Sequence, residues 1–255
     1  MLLEIYTMLS ASHRFATVIC RVAAAAASGL CATVHAGDID TLQALGQNEF
    51  HLFTQDLGAA LSYQSLAPAS TLGVTGFDLG FAVTGTSLDH QDLYEKASGG
   101  SSVPGTLPVP TLRVAKGLPF NIDVGAFYLA VPSSNVKLYG GEVRWAFVEG
   151  NAILPALALH GVYSKLTGVD QLDLHNQSVD LSISKGFALF TPYAGIGKVW
   201  TRATPVNVPG LGKESIAQNK TFLGVNMNFG LPNLAVEVDK TGGITSYGAK
   251  LGFRW

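Results

Sequence analysis

The residues best suited to chemistry in this chain are its histidines and a scatter of charges, and spacing decides what each could do. His160 and Ser164 stand four positions apart on one alternating run. In a strand they would share a face about 13 Å apart, too far for the base to take the hydroxyl proton. No Gly-x-Ser-x-Gly elbow occurs. His51, His90, His160 and His175 share no short metal-ligand interval. Asp170-Gln171-Leu172-Asp173-Leu174-His175 reads as a solvated acidic loop rather than a divalent-cation site. These residues predict no enzyme, no cofactor and no metal centre. The net charge of -2 argues against a nucleic-acid partner.

The other charges sit on alternate positions opposite apolar runs. Asp78, Arg113, Asp123, Glu142, Arg144, His160, Asp180, Lys198, Asn226, Asn228, Glu237, Asp239, Lys250 and Arg254 are expected to line an enclosed interior. Their signs are mixed. That suits an interior locked by ion pairs, or a narrow selective path; a strongly selective pore would show one sign.

Such a lining needs strands to position it. Charged residues make up 13% of the chain, about half the usual globular share of roughly 25%, and no long apolar run compensates. From Leu72 onward the pattern is alternation and turns. Strands are predicted near 73–87, 109–117, 121–131, 136–148, 153–166, 176–187, 190–203, 217–230, 233–241 and 245–255. Most have the roughly 9–11 residues that cross a bilayer at a tilt. Apolar faces run through Phe77, Leu79, Phe81 and Val83, through Tyr139, Val143, Trp145 and Phe147, and through Leu223, Val225, Met227 and Phe229. Short turns at 117–120, 149–151, 186–189 and 230–232 alternate mostly with longer links at 88–109, 167–175 and 205–218. Ser98 to Pro110 reads as a mobile external loop. The fold predicted is all-β: a closed antiparallel transmembrane β-barrel of about ten strands, within a range of roughly 8–12, with a short N-terminal helix.

Residues 48–65 carry two patterns. Phe50, Phe53, Leu57 and Leu61 have helical spacing, with Asn48 as a possible cap. Leu57, Ala59, Leu61 and Tyr63 also alternate as a strand would. An even strand count favours the helix, placed in the lumen or against the periplasmic mouth. It would be either simply packed there or a hydrophobic gate.

The N-terminus reads as a secretory signal. Arg14 and Arg21 flank an apolar stretch from Val22 to Val34, and Val34-His35-Ala36 offers a small-x-small cleavage site. Met8 is an alternative start. Cys20 and Cys31 both fall in the signal, so the mature chain from Gly37 would need no disulfide. The organisation expected is 1–36 signal, 37–71 N-terminal segment with a plug or periplasmic helix, and 72–255 barrel.

The final stretch, Tyr247-Gly248-Ala249-Lys250-Leu251-Gly252-Phe253-Arg254-Trp255, alternates apolar with small or cationic residues and ends on an aromatic. Together with Asp56 to Tyr63, Gly76 to Gly80 and Leu181 to Trp200, it resembles Gram-negative outer-membrane β-barrel proteins of a group without an assigned activity. Such proteins more often end in Phe than in Trp. The resemblance implies outer-membrane lipid as surroundings. It also implies recognition of Tyr247, Leu251, Phe253 and Trp255 by the barrel-assembly machinery. The function expected is non-enzymatic: a structural barrel or a slow channel for small solutes. The alternative is a transporter of small hydrophobic molecules gated by the N-terminal helix.

Overall fold

The computed structural model describes residues 38–255. The expected signal, its cleavage site and both cysteines lie outside them. Ten strands form one closed antiparallel ring, each paired with its sequence neighbours, and β1 meets β10 to complete it. They are β1 (Phe77–Ser87), β2 (Thr106–Leu118), β3 (Ile122–Ala130), β4 (Lys137–Val148), β5 (Ala156–Thr167), β6 (Leu172–Ser184), β7 (Phe190–Pro205), β8 (Glu214–Asn228), β9 (Pro232–Thr241) and β10 (Ile244–Arg254). Helix α1 spans Gln47–Ala60 before the ring, and α2 spans Gln91–Ala97 between β1 and β2.

The ring closes because its outer wall is greasy. Leu79, Phe81, Tyr139, Val143, Trp145, Leu181, Ile183, Leu223, Val236, Tyr247, Leu251, Phe253 and Trp255 are all exposed on the outside. Side chains alternate with period 2, so these residues face outward while their neighbours face in. Hydrocarbon offers a backbone group no partner, so a sheet immersed in it must leave no free edge. The seam runs from Asp78 opposite Arg254 to Thr86 opposite Ser246, and the main chains of Phe77 and Trp255 exchange hydrogen bonds of 2.9 and 3.1 Å beside it.

One end of the ring carries tight turns, among them the 3₁₀ turn Pro119–Asn121, and is called the turn end below. The other carries α2 and the longer links, and is called the loop end. All three of those links are shorter than the sequence suggests, the one after β7 because β8 already begins at Glu214. β6 begins at Leu172, because Leu172 to His175 continue the alternation and pair with β7 up to Pro205. β2 begins at Thr106 and includes Pro108 and Pro110, so Ser98 to Pro110 is not one loop. These prolines are tolerated because β3 pairs with β2 only from Thr111 onward, leaving that edge free where a donor is missing.

Helix α1 ends at Ala60, not near Ser65, and is capped by Gly46 rather than Asn48. Gly46 N–H donates to the Glu49 carboxylate at 3.0 Å, which places Asn48 inside the first turn. From Leu61 the chain leaves helical geometry and runs through the ring as an extended strap to Leu72, just short of β1.

Candidate functional site

The interior is the site this fold builds, and it has two zones. Toward the loop end the inward rows turn apolar. Leu107, Val109, Leu129, Leu138, Leu166 and Leu174 form a sleeve around α1, and Phe50, Phe53, Leu57 and Leu61 are fully buried in it. Phe53 packs on Tyr94 of α2 with ring centroids 4.8 Å apart. Gly58 lets the helix lie against β7, since a Cβ there would collide with Thr201. Polar links at the rim fix the direction of travel. Asp56 accepts from His90 N–H at 2.8 Å, Ile39 N–H donates to Asn135 at 3.0 Å, and Glu49 pairs with Lys96 at 2.5 Å. The helix therefore lies toward the loop end, and not against the turn-end mouth.

Toward the turn end the lining is charged, and the strap runs through it. Irregular backbone inside a barrel must find partners for its buried N–H and C=O groups, and here side chains of the wall supply them for Tyr63, Gln64, Leu66, Ala69, Ser70 and Leu72. Lys220 donates to the carbonyl of Tyr63 at 2.7 Å, and Arg113 donates to that of Gln64 at 3.1 Å. Glu237 accepts from Leu66 N–H, and Ser184 from Ala69 N–H, both at 3.1 Å. Asp123 accepts from Leu72 N–H at 3.1 Å, and Arg254 donates to Ser70 O at 3.3 Å. The Gln64 side chain bridges Asp239 and Thr84.

At the centre Glu142 accepts from Tyr63 Oη at 2.8 Å and from Arg113 at 3.3 Å, with His160 Nε2 2.7 Å away. Arg144 lies 3.4 Å from Asp123 and donates to Ser65 at 3.1 Å. The far side of His160 is 3.6 Å from Asp180. Tyr63 stacks on Phe127 at 4.0 Å, with the Arg113 guanidinium 5.0 Å from its ring centre. Lys250 reaches Asp78 at 2.7 Å, and Arg254 lies 3.6 Å from the same carboxylate. Asn226 exchanges amide hydrogen bonds with Asn233. Asn228 joins them as an acceptor from Asn233.

Burial shows how full this interior is. Asp78, Arg113, Asp123, Glu142, Arg144, His160, Asp180, Asn226, Glu237, Asp239 and Lys250 are each no more than 5% exposed. A water-filled passage would wet them. The cavity beside Tyr63 and Arg113 holds about 10 Å³, room for about one water. Among the described residues, no three metal-ligating side chains are grouped to hold an ion.

Lys198 is the exception among the expected lining residues: it lies on the outer wall, exposed. Its neighbours in parity, Ile196 and Trp200, face outward with it, while Tyr193, Val199 and Ala203 are buried inside. An apolar residue on the inner face misleads the alternation there. The reading also passes over Tyr63, Gln64, Tyr193 and Lys220. For Lys220 the signal is present, since it shares a parity with Asn226 in β8. For the strap residues there is none, because an extended segment bound by side chains has no period.

No protein-family model matches the chain, and no curated protein matches it. Solved structures similar to it include the N-terminal β-barrel domain of Pseudomonas aeruginosa OprF, at 13% identity over 72% of this chain and 99% of that one, TM-score 0.39. The KdgM porin is similar at 5% identity over 70% and 99% of the two chains, TM-score 0.37. So is Ail, the attachment invasion locus protein of Yersinia pestis, in its complex with sucrose octasulfate, at 13% identity over 71% and 97%, TM-score 0.29. This chain's own closed, even-stranded ring and apolar outer wall define an integral β-barrel of the outer-membrane type.

Proposed function

We propose that this protein is a closed, non-enzymatic barrel that serves the outer membrane as a structural component, with residues 38–76 as its own plug. The observation that carries this reading is the filled lumen, whose charged lining is buried. The charges that could have lined a solute path are spent on the strap and on one another, and the loop end is stoppered by α1. With short turns on the periplasmic side, as in barrels of this type, α1 faces the cell exterior. Residues 1–36 act as a cleaved signal in this reading, and the outward face of Tyr247, Leu251, Phe253 and Trp255 is the strand offered to the assembly machinery.

Planar-bilayer recordings test it. The purified protein is expected to give no steady open steps, and to hydrolyse neither phospholipid nor peptide. Ohmic steps from the unaltered protein would return it to the slow-channel class. The apolar sleeve around α1 supports a second reading, in which α1 is displaced to admit small hydrophobic molecules. Uptake of a hydrophobic dye that rises with expression, without ionic conductance, would favour that gate over the sealed barrel.

A further inference from the structure

Strands β6, β7 and β8 have 13, 16 and 15 residues, more than the roughly 9–11 a membrane crossing needs. Their outer faces change character along this extra length. Register sets the outward side chains in rows across the strands. Leu181 and Ile196 lie opposite each other within the apolar belt. One row nearer the loop end, Lys198 lies opposite Val179, and in the next Trp200 lies opposite Gln177. Beyond that, Lys165, His175 and Arg202 stand in a single row across β5, β6 and β7.

Basic groups directly opposite one another in a sheet repel once charged, and this row has little to offset that. Asp173 lies 3.7 Å from Lys165 and is the nearby acid. Arg202 and Lys198 make no hydrogen bond or ion pair among the described residues. Between the rows the wall is hollowed into a groove of about 340 Å³, lined in part by His175, Gln177, Trp200 and Arg202. The groove opens outward, at the level where an indole would mark the boundary between hydrocarbon and headgroups.

We propose that this face binds the phosphate-bearing headgroup of an outer-leaflet lipid. The phosphate sits between Arg202 and His175, Lys198 two rows below extends past Trp200 toward the lower edge of the headgroup, and the acyl chains lie down the wall over Ile196 and Leu181. An anion placed there removes the like-charge repulsion, and the long lysine stem is accommodated by snorkelling from the apolar belt. The charge complementarity and the apolar surface directly below together select a lipid over a free anion.

Native mass spectrometry of the detergent-solubilised full-length protein tests this, with diphosphoryl lipid A as probe and phosphatidylcholine as reference. The unaltered protein should retain lipid A at least about tenfold better than phosphatidylcholine. Arg202→Gln, which removes a charge-assisted contact from an exposed site, should weaken retention about tenfold, and Lys198→Gln should weaken it less. Lys240→Gln is the control, an outward lysine flanked by Thr221 and Thr245, and should change nothing. Equal retention of the two lipids, an Arg202→Gln protein that binds as well as the parent, or equal losses in Arg202→Gln and Lys240→Gln would overturn the site. Displacement of the lipid by inorganic phosphate at the same concentration would overturn the lipid assignment. Heat-modifiable gel migration verifies that each variant is folded.

Discussion

Glu142 shows what a single residue does in this interior. It faces Arg113, His160 and Tyr63 at once, so removing its charge leaves buried cationic groups without a counter-ion. Glu142→Leu is expected to cost about 3–5 kcal/mol, read as a lower urea midpoint for loss of the heat-modifiable form. At the rim, Glu49 behaves differently because water reaches it. Its hydrogen bond from Lys96 holds the carboxyl below its ordinary 4.5. A lowered folded-state value means the contact contributes at neutral pH and is lost as pH falls through that value. An NMR titration should place the Glu49 midpoint below 4.5, and in Lys96→Met it should return toward 4.5. Single residues were also where the sequence was hardest to read. The inward placement of Glu142 and Asp180 follows from plain alternation. Lys198 escapes it because Val199, not its polar neighbour, turns inward.

Among the elements, the strands and the plug helix were legible and the strap was not. A strand in lipid repeats every two residues, and that period marks all ten, with ends displaced by a few residues where turn and strand chemistry overlap. Helix α1 could be read from Phe50, Phe53, Leu57 and Leu61, but its end could not. Leu61 satisfies the helical pattern while belonging to the strap, whose course is set by wall residues more than a hundred positions away, such as Glu237 and Lys220. The apolar loop-end sleeve was missed for a related reason: its inward leucines are strand residues whose partner is a helix far back in the chain. The seat of α1 depends on Gly58 against Thr201. Gly58→Val is expected to unseat the helix at an overpacking cost of about 1–3 kcal/mol while the ring persists. Limited proteolysis should then cut within Gln47–Ala60, with heat-modifiable migration unchanged.

For the molecule as a whole, the path of the chain predicts sidedness. Asp38 is exposed beside Ile39, which is tied to Asn135 at the loop end. Ile153 is 86% exposed at the turn end. In intact cells a membrane-impermeant maleimide should label Asp38→Cys and should fail to label Ile153→Cys until the envelope is opened. The reverse pattern would invert the barrel in the membrane and with it the placement of α1.

The seam between β1 and β10 carries a consequence for how the protein is made. It joins Asp78 to Arg254, so the ring cannot lock until its last strand has arrived. The strap and α1 precede β1 in the chain, yet they run through the finished ring like a bolt through a collar. Seating the bolt while the collar is still a C gives it sideways access to the side chains that grip it; once the gap shuts, the way in is end-on through a mouth of the ring. A ring that shuts first leaves its cations facing an empty hole until the segment follows, so the order of seating and closure, as much as the final contacts, sets how directly the finished protein forms.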